Sequence, residues 1–176
     1  MNTTATNDAA LPRIHAVAVS TRKGIPKTLK PSVVLRENWG IEGDVHAGAW
    51  HRQISLLALE SIEKMRAKGL KVRAGAFAEN ITTEGITLTD LVPGDRLRIG
   101  GVTLEITQIG KECHTLCAIA IKAGDCVMPR EGIFARVLAG GEIAPGAAIE
   151  AIRSADHRGT APLHAEPAGT ALHEAA

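Results

Sequence analysis

The sequence has few aromatic residues, almost no net charge and no long apolar run. Its 176 residues include two Trp, two Phe and no Tyr, and 20 basic residues against 19 acidic ones give a formal net charge of +1. So few aromatics exclude a stacking platform for single-stranded nucleic acid. The balanced charge gives no electrostatic reason to expect nucleic acid or an anionic membrane, and no segment approaches the roughly 18 apolar residues of a membrane-spanning helix. We therefore expect neither a nucleic-acid nor a membrane partner.

The N-terminus also lacks the apolar core of a secretion signal, because residues 1–10 are mostly polar. We therefore expect a cytoplasmic protein. The length predicts one domain. We expect a disordered N-terminus over residues 1–11, a folded domain over residues 12–152, and a flexible tail over residues 153–176 that is rich in Ala, Pro, Gly and His. The sequence does not predict an oligomeric state.

All three cysteines fall within fourteen residues, at Cys113, Cys117 and Cys126, and His114 lies among them. In a reducing compartment such thiols are metal ligands, nucleophiles or small buried residues rather than disulfide partners. Their spacing does not match the paired cysteines of common structural zinc sites. If Cys113 ends a strand and precedes a helix, the helix N-terminus lowers the pKa of its thiol, and Lys111 adds to this. Cys117 fits a buried thiol better than Cys113 does.

The pattern between the two ends is mostly that of β-strands separated by glycine turns. Strands are predicted over residues 14–20, 32–35, 53–57, 80–83, 96–99, 102–109 and 147–152. Helices are predicted over residues 59–68, 115–122 and 133–139. Gly100-Gly101 between two strands indicates a tight hairpin. The sequence therefore predicts a mainly β (α+β), barrel-like fold with a few short helices.

One motif gathers charged and proton-transferring residues among glycines, in Gly40-Ile41-Glu42-Gly43-Asp44-Val45-His46. Arg52 follows, and its planar guanidinium suits a phosphate or a carboxylate. Glycines allow a ligand to approach the backbone closely. The alternative is a surface loop in which Asp44 and His46 cap their own turns.

Two further motifs each have two interpretations, which are evenly balanced for Glu79 and Asn80, whereas capping is favoured for Arg130. Glu79 and Asn80 at the start of a strand bind a ligand, or they satisfy backbone groups at a strand junction. Arg130 contacts an anionic ligand, or it caps the helix predicted from residue 133.

In their order along the chain, these motifs resemble the MOSC domain, named for the C-terminal domain of molybdenum cofactor sulfurase. The resemblance covers about residues 12–152 and rests on five matching pieces: Gly40–His46, Arg52–Leu57, Phe77–Ile81, Leu91–Asp95 with Ile99-Gly100, and the strand leading to Cys113. It implies a strand-rich, barrel-like domain associated with the molybdenum cofactor, a molybdopterin that carries Mo. In some family members a cysteine thiolate ligates the metal, and by position Cys113 matches that cysteine.

The resemblance also implies a cofactor site and a set of partners. The residues expected to contact the cofactor or shape its pocket are Gly43, Asp44, His46, Arg52, Glu79, Asn80, Lys111 and Arg130. Expected partners are proteins of cofactor biosynthesis, or molybdoenzymes that receive the cofactor.

The resemblance implies two possible functions, and the cysteine cluster suggests a third. The first is a protein that binds molybdenum cofactor, or a related Mo or W species, and acts in its maturation, sulfuration or transfer, with Cys113 as the metal or sulfur ligand. The second is a reductase of N-hydroxylated compounds. Family reductases often carry Pro-Arg and then Pro before the cysteine, where this chain has Gly110-Lys111-Glu112. The third is a zinc module held by Cys113, His114, Cys117 and Cys126, and a pyridoxal phosphate site is not expected.

Overall fold

The computed structural model describes residues 11–111 and 118–155, which form a strand-rich fold with three short α-helices. The elements in chain order are β1 (Arg13–Val19), β2 (Thr28–Lys30), β3 (Val33–Arg36), β4 (Gly40–Ile41), β5 (Ile54–Ala58), α1 (Leu59–Ala67), β6 (Ile81–Glu84), a 3₁₀ turn (Leu88–Asp90), β7 (Arg96–Ile99), β8 (Val102–Ile109), α2 (Ala118–Ala123), α3 (Met128–Glu131), β9 (Ile133–Ala139), β10 (Gly141–Ile143) and β11 (Glu150–Ile152). The mainly β fold predicted from the sequence is confirmed.

Each half of the chain builds one half of the large sheet. The eight strands run in the order β11-β7-β8-β9-β5-β6-β1-β2, so the last four come from the N-terminal half and the first four from the C-terminal half. The halves meet where β5 pairs antiparallel with β9, with Ser55 opposite Phe134. We call this pairing the β5–β9 seam. A second sheet of three strands has the order β10-β3-β4.

Apolar side chains cover the seam on two sides. In β9, Ile133, Ala135 and Val137 belong to a core cluster that also takes in Val33 and Leu35 of the small sheet. Phe134, between them in sequence, belongs to a second cluster with residues of α1 and the chain around α3. Successive side chains of a strand point to opposite faces, so this division follows from the strand itself.

Most of the predicted elements are present. The hairpin is confirmed, because β7 and β8 pair antiparallel and Gly100 has φ +58°, which glycine adopts without strain. The helix predicted over residues 59–68 is α1, which ends just before Gly69. The strands expected near residues 14–20, 32–35, 53–57 and 80–83 are β1, β3, β5 and β6. The closing strand is shorter than expected and spans Glu150–Ile152.

The helix predicted over residues 133–139 is wrong, since this segment is the central strand β9. Its apolar residues fit both periods in so short a run, but β9 pairs with β8 on one side and with β5 on the other. Pairing on both edges satisfies its backbone groups, and β-branched and aromatic residues suit a buried strand. The short strands β2, β4 and β10 were not predicted. For the helix predicted over residues 115–122, the structure shows α2, and residues 115–117 lie outside the described part.

Most of the predicted disordered ends, residues 1–10 and 156–176, lie outside the described residues. None of the helices over residues 11–111 and 118–155 has the length and apolar character that a membrane crossing requires.

Candidate functional site

A cleft of about 230 Å³ opens at the β5–β9 seam, where Ser55 of β5 and Phe134 of β9 both line it. Four of the residues predicted from the sequence meet in this cleft, and they are His46, Arg52, Asn80 and Lys111. They come from the β4–β5 loop, the segment before β6 and the segment after β8, so only the folded chain brings them together. The structure thus joins the first motif, the Glu-Asn motif and the residue that leads into the cysteine segment.

The cleft carries an excess of positive charge. Lys23, Arg52 and Lys111 line it, and no Asp or Glu is among the described residues that do. In the described parts of the chain, none of these three cations forms a salt bridge. Unpaired cations that converge on one concave surface attract anions and focus the local field. The arrangement is suited to an anionic ligand.

Aromatic side chains form the other part of the wall. Trp50, Phe77 and Phe134, three of only four aromatic residues in the chain, line the cleft. The indole Nε1 of Trp50 donates a hydrogen bond to the backbone oxygen of His46 at 2.8 Å, which fixes the ring. The guanidinium carbon of Arg52 lies 5.0 Å from the centre of the Trp50 ring and 5.5 Å from that of Phe134. These distances are typical of cation–π contacts.

Arg52 has an unused hydrogen-bond donor. Its Nε atom is buried, and no described residue accepts from it. Buried donors without an acceptor are rare and costly in folded proteins. The aromatic contacts hold the guanidinium at the cleft, where its terminal N–H groups can donate in parallel to an anion with two acceptor oxygens.

A buried ion pair lies beneath the cleft. The side chain of Lys27 is 0% exposed, and its Nζ lies 2.5 Å from Oδ2 of the buried Asp44. The backbone of Lys27 is held by Gly75, whose oxygen accepts the Lys27 N–H at 2.8 Å. Asp44 also accepts the backbone N–H groups of Ser20 and His46, each at 3.0 Å. Asp44 therefore ties the glycine motif to the end of β1, and it contacts the cleft residue His46 from the buried side.

Burial affects the two partners of this pair in different ways. Burial alone would raise the pKa of Asp44, but contacts from His46, Lys27 and the Ser20 backbone outweigh it and hold that pKa below its ordinary value. Burial lowers the pKa of Lys27, and the hydrogen bond and charge of Asp44 oppose this effect. Asp44 is thus a carboxylate at neutral pH, in agreement with its set of donors.

Glu79 organises the loop that carries Phe77 and Ala78 into the cleft. Its carboxyl is 0% exposed and accepts the N–H groups of Gly75 at 2.5 Å and Phe77 at 3.0 Å. Thr82 donates to it as well, at 3.1 Å. Burial raises the pKa of Glu79 despite these bonds. The structure therefore gives Glu79 contacts to backbone groups, and these match the structural alternative for this residue.

Asn80 lines the cleft, but its side-chain amide makes hydrogen bonds within the fold. Its Oδ1 accepts from the backbone N and the hydroxyl of Ser55, at 3.2 and 3.0 Å, and its Nδ2 donates to the backbone oxygen of Ala18 at 3.2 Å. These bonds link β1, β5 and β6. Asn80 shapes the cleft wall whether or not it also contacts a ligand.

Two predicted contact residues lie away from the cleft wall. Gly43 has φ +74° in the turn after β4, and a Cβ there would meet open space. Arg130 lies in α3, has a side chain that is 61% exposed, and pairs with Asp125 at 2.9 Å. The helix that Arg130 was expected to cap does not exist, because that segment is β9.

The described residues include only one member of the cysteine cluster. Cys126 is buried in the second apolar cluster, near Val127 and Met128. Cys113, His114 and Cys117 lie outside the described residues, so their roles stay predictions. In the two described ranges, no group of three or more His, Cys, Asp or Glu side chains could hold a metal ion. Lys111, two residues before Cys113 in the sequence, lines the cleft.

Sequence reasoning missed Lys23, Lys27, Trp50 and Phe134. The scarcity of aromatic residues offered one signal, because each aromatic side chain in such a sequence is a candidate for a binding site. Lys27 offered none, since a lysine after Ile25-Pro26 is typical of an exposed loop.

Comparisons with known proteins identify the fold and the family. The structure is similar to that of the YuaD protein from Bacillus subtilis, with a TM-score of 0.70 and 18% identity over 81% of this chain and 96% of that one. It is also similar to YiiM from Geobacillus stearothermophilus, with a TM-score of 0.60 and 24% identity over 81% of this chain and 75% of that one. YiiM from Escherichia coli has a TM-score of 0.57 and 19% identity, over 81% and 70% of the two chains.

At these identities the likeness to solved structures shows the fold alone. None of the curated proteins with which the chain was compared matches it. The family model of the MOSC domain matches residues 43–150, from the glycine motif to the start of β11. Because this match spans more than half of the sequence, the chain belongs to the MOSC domain family.

Proposed function

We propose that the cleft binds molybdenum cofactor, or a related Mo or W species, and that the protein acts in the maturation, sulfuration or transfer of that cofactor. The family is associated with this cofactor. The observation that carries the proposal is Arg52, a cation without a carboxylate partner in the described chain, held between two aromatic rings at the cleft.

The residues of the cleft fit a phosphorylated ring compound. Arg52 donates a pair of hydrogen bonds to a phosphate, and Lys23 and Lys111 add charge at the rim. Trp50 and Phe77 line the cleft and supply apolar aromatic surface to a ring system. A volume of about 230 Å³ fits one part of a molybdopterin rather than the whole of it.

Cys113 is the thiolate of this proposal. Lys111 lines the cleft and stands two residues before Cys113 in the sequence, and this proximity along the chain supports the assignment. A lysine next to a thiol favours the thiolate, which is the form that ligates metals and carries sulfur. When bound, the cofactor would supply a metal centre that accepts such a ligand. The cations of the cleft would orient the phosphate, and its aromatic side chains would contact the ring system.

The test is elemental and pterin analysis of protein purified without oxygen from a cofactor-producing host. We expect Mo or W together with pterin in the wild type, and loss of both in Arg52→Met. The matched control is Arg130→Met, which removes an exposed arginine away from the cleft wall and should retain the wild-type content. Cys113→Ser should retain pterin but lose metal or labile sulfur. Wild-type protein without pterin, or equal pterin in Arg52→Met, would overturn the proposal.

A further inference from the structure

The buried pair of Lys27 and Asp44 ends at a histidine that lines the cleft. Lys27 Nζ lies 3.2 Å from Nδ1 of His46, in addition to its contact with Asp44 Oδ2. The side chains of Lys27 and Asp44 are 0% and 1% exposed, whereas that of His46 is 30% exposed. The three side chains thus form a contact network that runs from the protein interior to the wall of the cleft.

The Nδ1 atom of His46 has two possible partners. It can accept a hydrogen bond from Lys27 at 3.2 Å, or it can donate one to Asp44 Oδ1 at 3.3 Å. The two distances are too similar to decide between these arrangements. They differ in which ring nitrogen carries the proton, because a neutral imidazole has one donor nitrogen and one acceptor nitrogen.

The count of donors and acceptors decides. A lysine ammonium has three N–H groups, and Asp44 Oδ2 and His46 Nδ1 are its side-chain partners among the described residues. If Nδ1 carried the proton, it would face the buried ammonium and leave one more N–H without an acceptor. Asp44 Oδ1 already accepts the backbone N–H of His46, so it loses less if no second donor reaches it.

We propose that Lys27 and Asp44 are positioning residues for His46, in which Lys27 donates to Nδ1 and the imidazole therefore carries its proton on Nε2. His46 then offers an N–H donor to a ligand in the cleft rather than a lone pair. An N–H donor suits an oxyanion, so His46 joins Arg52 in binding phosphate. This last step rests on the proposed function, but the tautomer does not.

The first experiment measures the tautomer directly, by ¹⁵N NMR of the His46 ring in the ligand-free wild-type protein. The ring signals are assigned by their absence in His46→Gln. We expect Nδ1 at the shift of an unprotonated nitrogen and Nε2 at that of a protonated one. Wild-type protein with its proton on Nδ1 would overturn the proposal, whatever the cleft binds.

The variant Lys27→Met should move the proton. With the ammonium gone, Nδ1–H can donate to Asp44 Oδ1, so we expect the opposite tautomer. If this variant does not fold, the double variant Lys27→Met/Asp44→Asn takes its place, because it removes both buried charges together. It should show a mixture of the two tautomers, and retention of the wild-type tautomer in either variant would contradict the positioning role.

The second experiment titrates inorganic phosphate and follows the Nε1–H signal of Trp50. The double variant has the same formal charge as the wild type, so a general loss of positive charge cannot explain a change in its affinity. Because an equal mixture of tautomers halves the population that offers the Nε2–H, we expect roughly twofold weaker binding in the double variant, and no change in Lys30→Met, which alters an exposed lysine of β2. Equal affinity in the double variant would refute the link to anion binding. The expected tautomer in a wild type that binds no phosphate would support the positioning of His46 and overturn the anion site.

Discussion

The buried pair of Lys27 and Asp44 should contribute strongly to stability, and a double-mutant cycle measures how much of that contribution is mutual. Lys27→Met leaves a buried carboxylate that still accepts the backbone N–H groups of Ser20 and His46. Asp44→Asn leaves a buried ammonium whose remaining side-chain partner among the described residues is His46 Nδ1. Removing one member of a buried pair costs about 3–5 kcal/mol, and we expect Asp44→Asn to lie at the upper end.

The double variant should be less destabilised than the sum of the two single variants, because it leaves no buried charge. We expect a favourable coupling energy of about 1–3 kcal/mol between the two sites. The assay is urea denaturation at neutral pH, with the midpoint compared at constant slope. The control is Arg98→Met, which breaks the exposed pair with Glu150 and should change the free energy of unfolding by less than about 1 kcal/mol.

The pH dependence gives a second view of the same pair. The pKa of Asp44 in the folded protein lies below its ordinary value of 3.8, so its stabilising contribution is complete above that value and is lost as the pH falls below it. Wild-type protein should therefore lose stability more steeply below pH 3.8 than the double variant does. The reasoning would be refuted if the effects of the two single variants were additive and if the wild type and the double variant lost stability equally steeply at acidic pH. Both results together would show that the two charges do not interact.

Three further predictions concern the loop before β6. The raised pKa of Glu79 means that the folded state keeps a proton that the unfolded state loses above pH 4.5. The free energy of unfolding should therefore fall as the pH rises from 4.5 through the pKa of the folded state. Urea titrations of Glu79→Gln should show a flatter dependence on pH. Gly75→Ala should destabilise the protein by more than about 2 kcal/mol, because its Cβ would lie 2.6 Å from the backbone oxygen of Lys27. The control Gly24→Ala has a similar φ but faces open space, so it should cost about 1 kcal/mol. Equal losses of thermal stability in the two variants would refute the clash. Ala78 has φ +63°, so Ala78→Gly should raise the free energy of unfolding by up to about 1 kcal/mol, and a measured decrease would contradict the assumed strain.

Local patterns predicted the parts of the fold that local forces determine. The β7–β8 hairpin followed from two alternating runs and a glycine pair, and α1 followed from its spacing and Gly69. The segment of β9 was assigned to a helix because its period is ambiguous over seven residues. Its partners β5 and β8 decide the matter, and β5 lies some eighty residues earlier in the chain. Tertiary pairing of this kind leaves no signal within the segment itself.

In the candidate site, too, some residues could be predicted from local patterns and others depend on tertiary contacts. Asp44, His46 and Arg52 stood out because charged residues cluster among glycines. Lys27 did not, since its burial depends on Asp44 and on the backbone of Gly75, both distant in sequence. A sequence indicates which residues are chemically capable, but long-range contacts decide which of them are buried, paired or exposed.

The β5–β9 seam has a consequence for cutting the chain in two. One fragment ending after β6 and one beginning before β7 would each carry four neighbouring strands of the large sheet, and Ser55 and Phe134 would meet only on reassociation. Such fragments suit complementation, in which the covalent link supplies only effective concentration. A ligand that touches both walls of the cleft would act as a molecular glue between them. Binding of such a ligand would therefore be measured as an increase in the affinity of the two fragments for each other, without a catalytic assay.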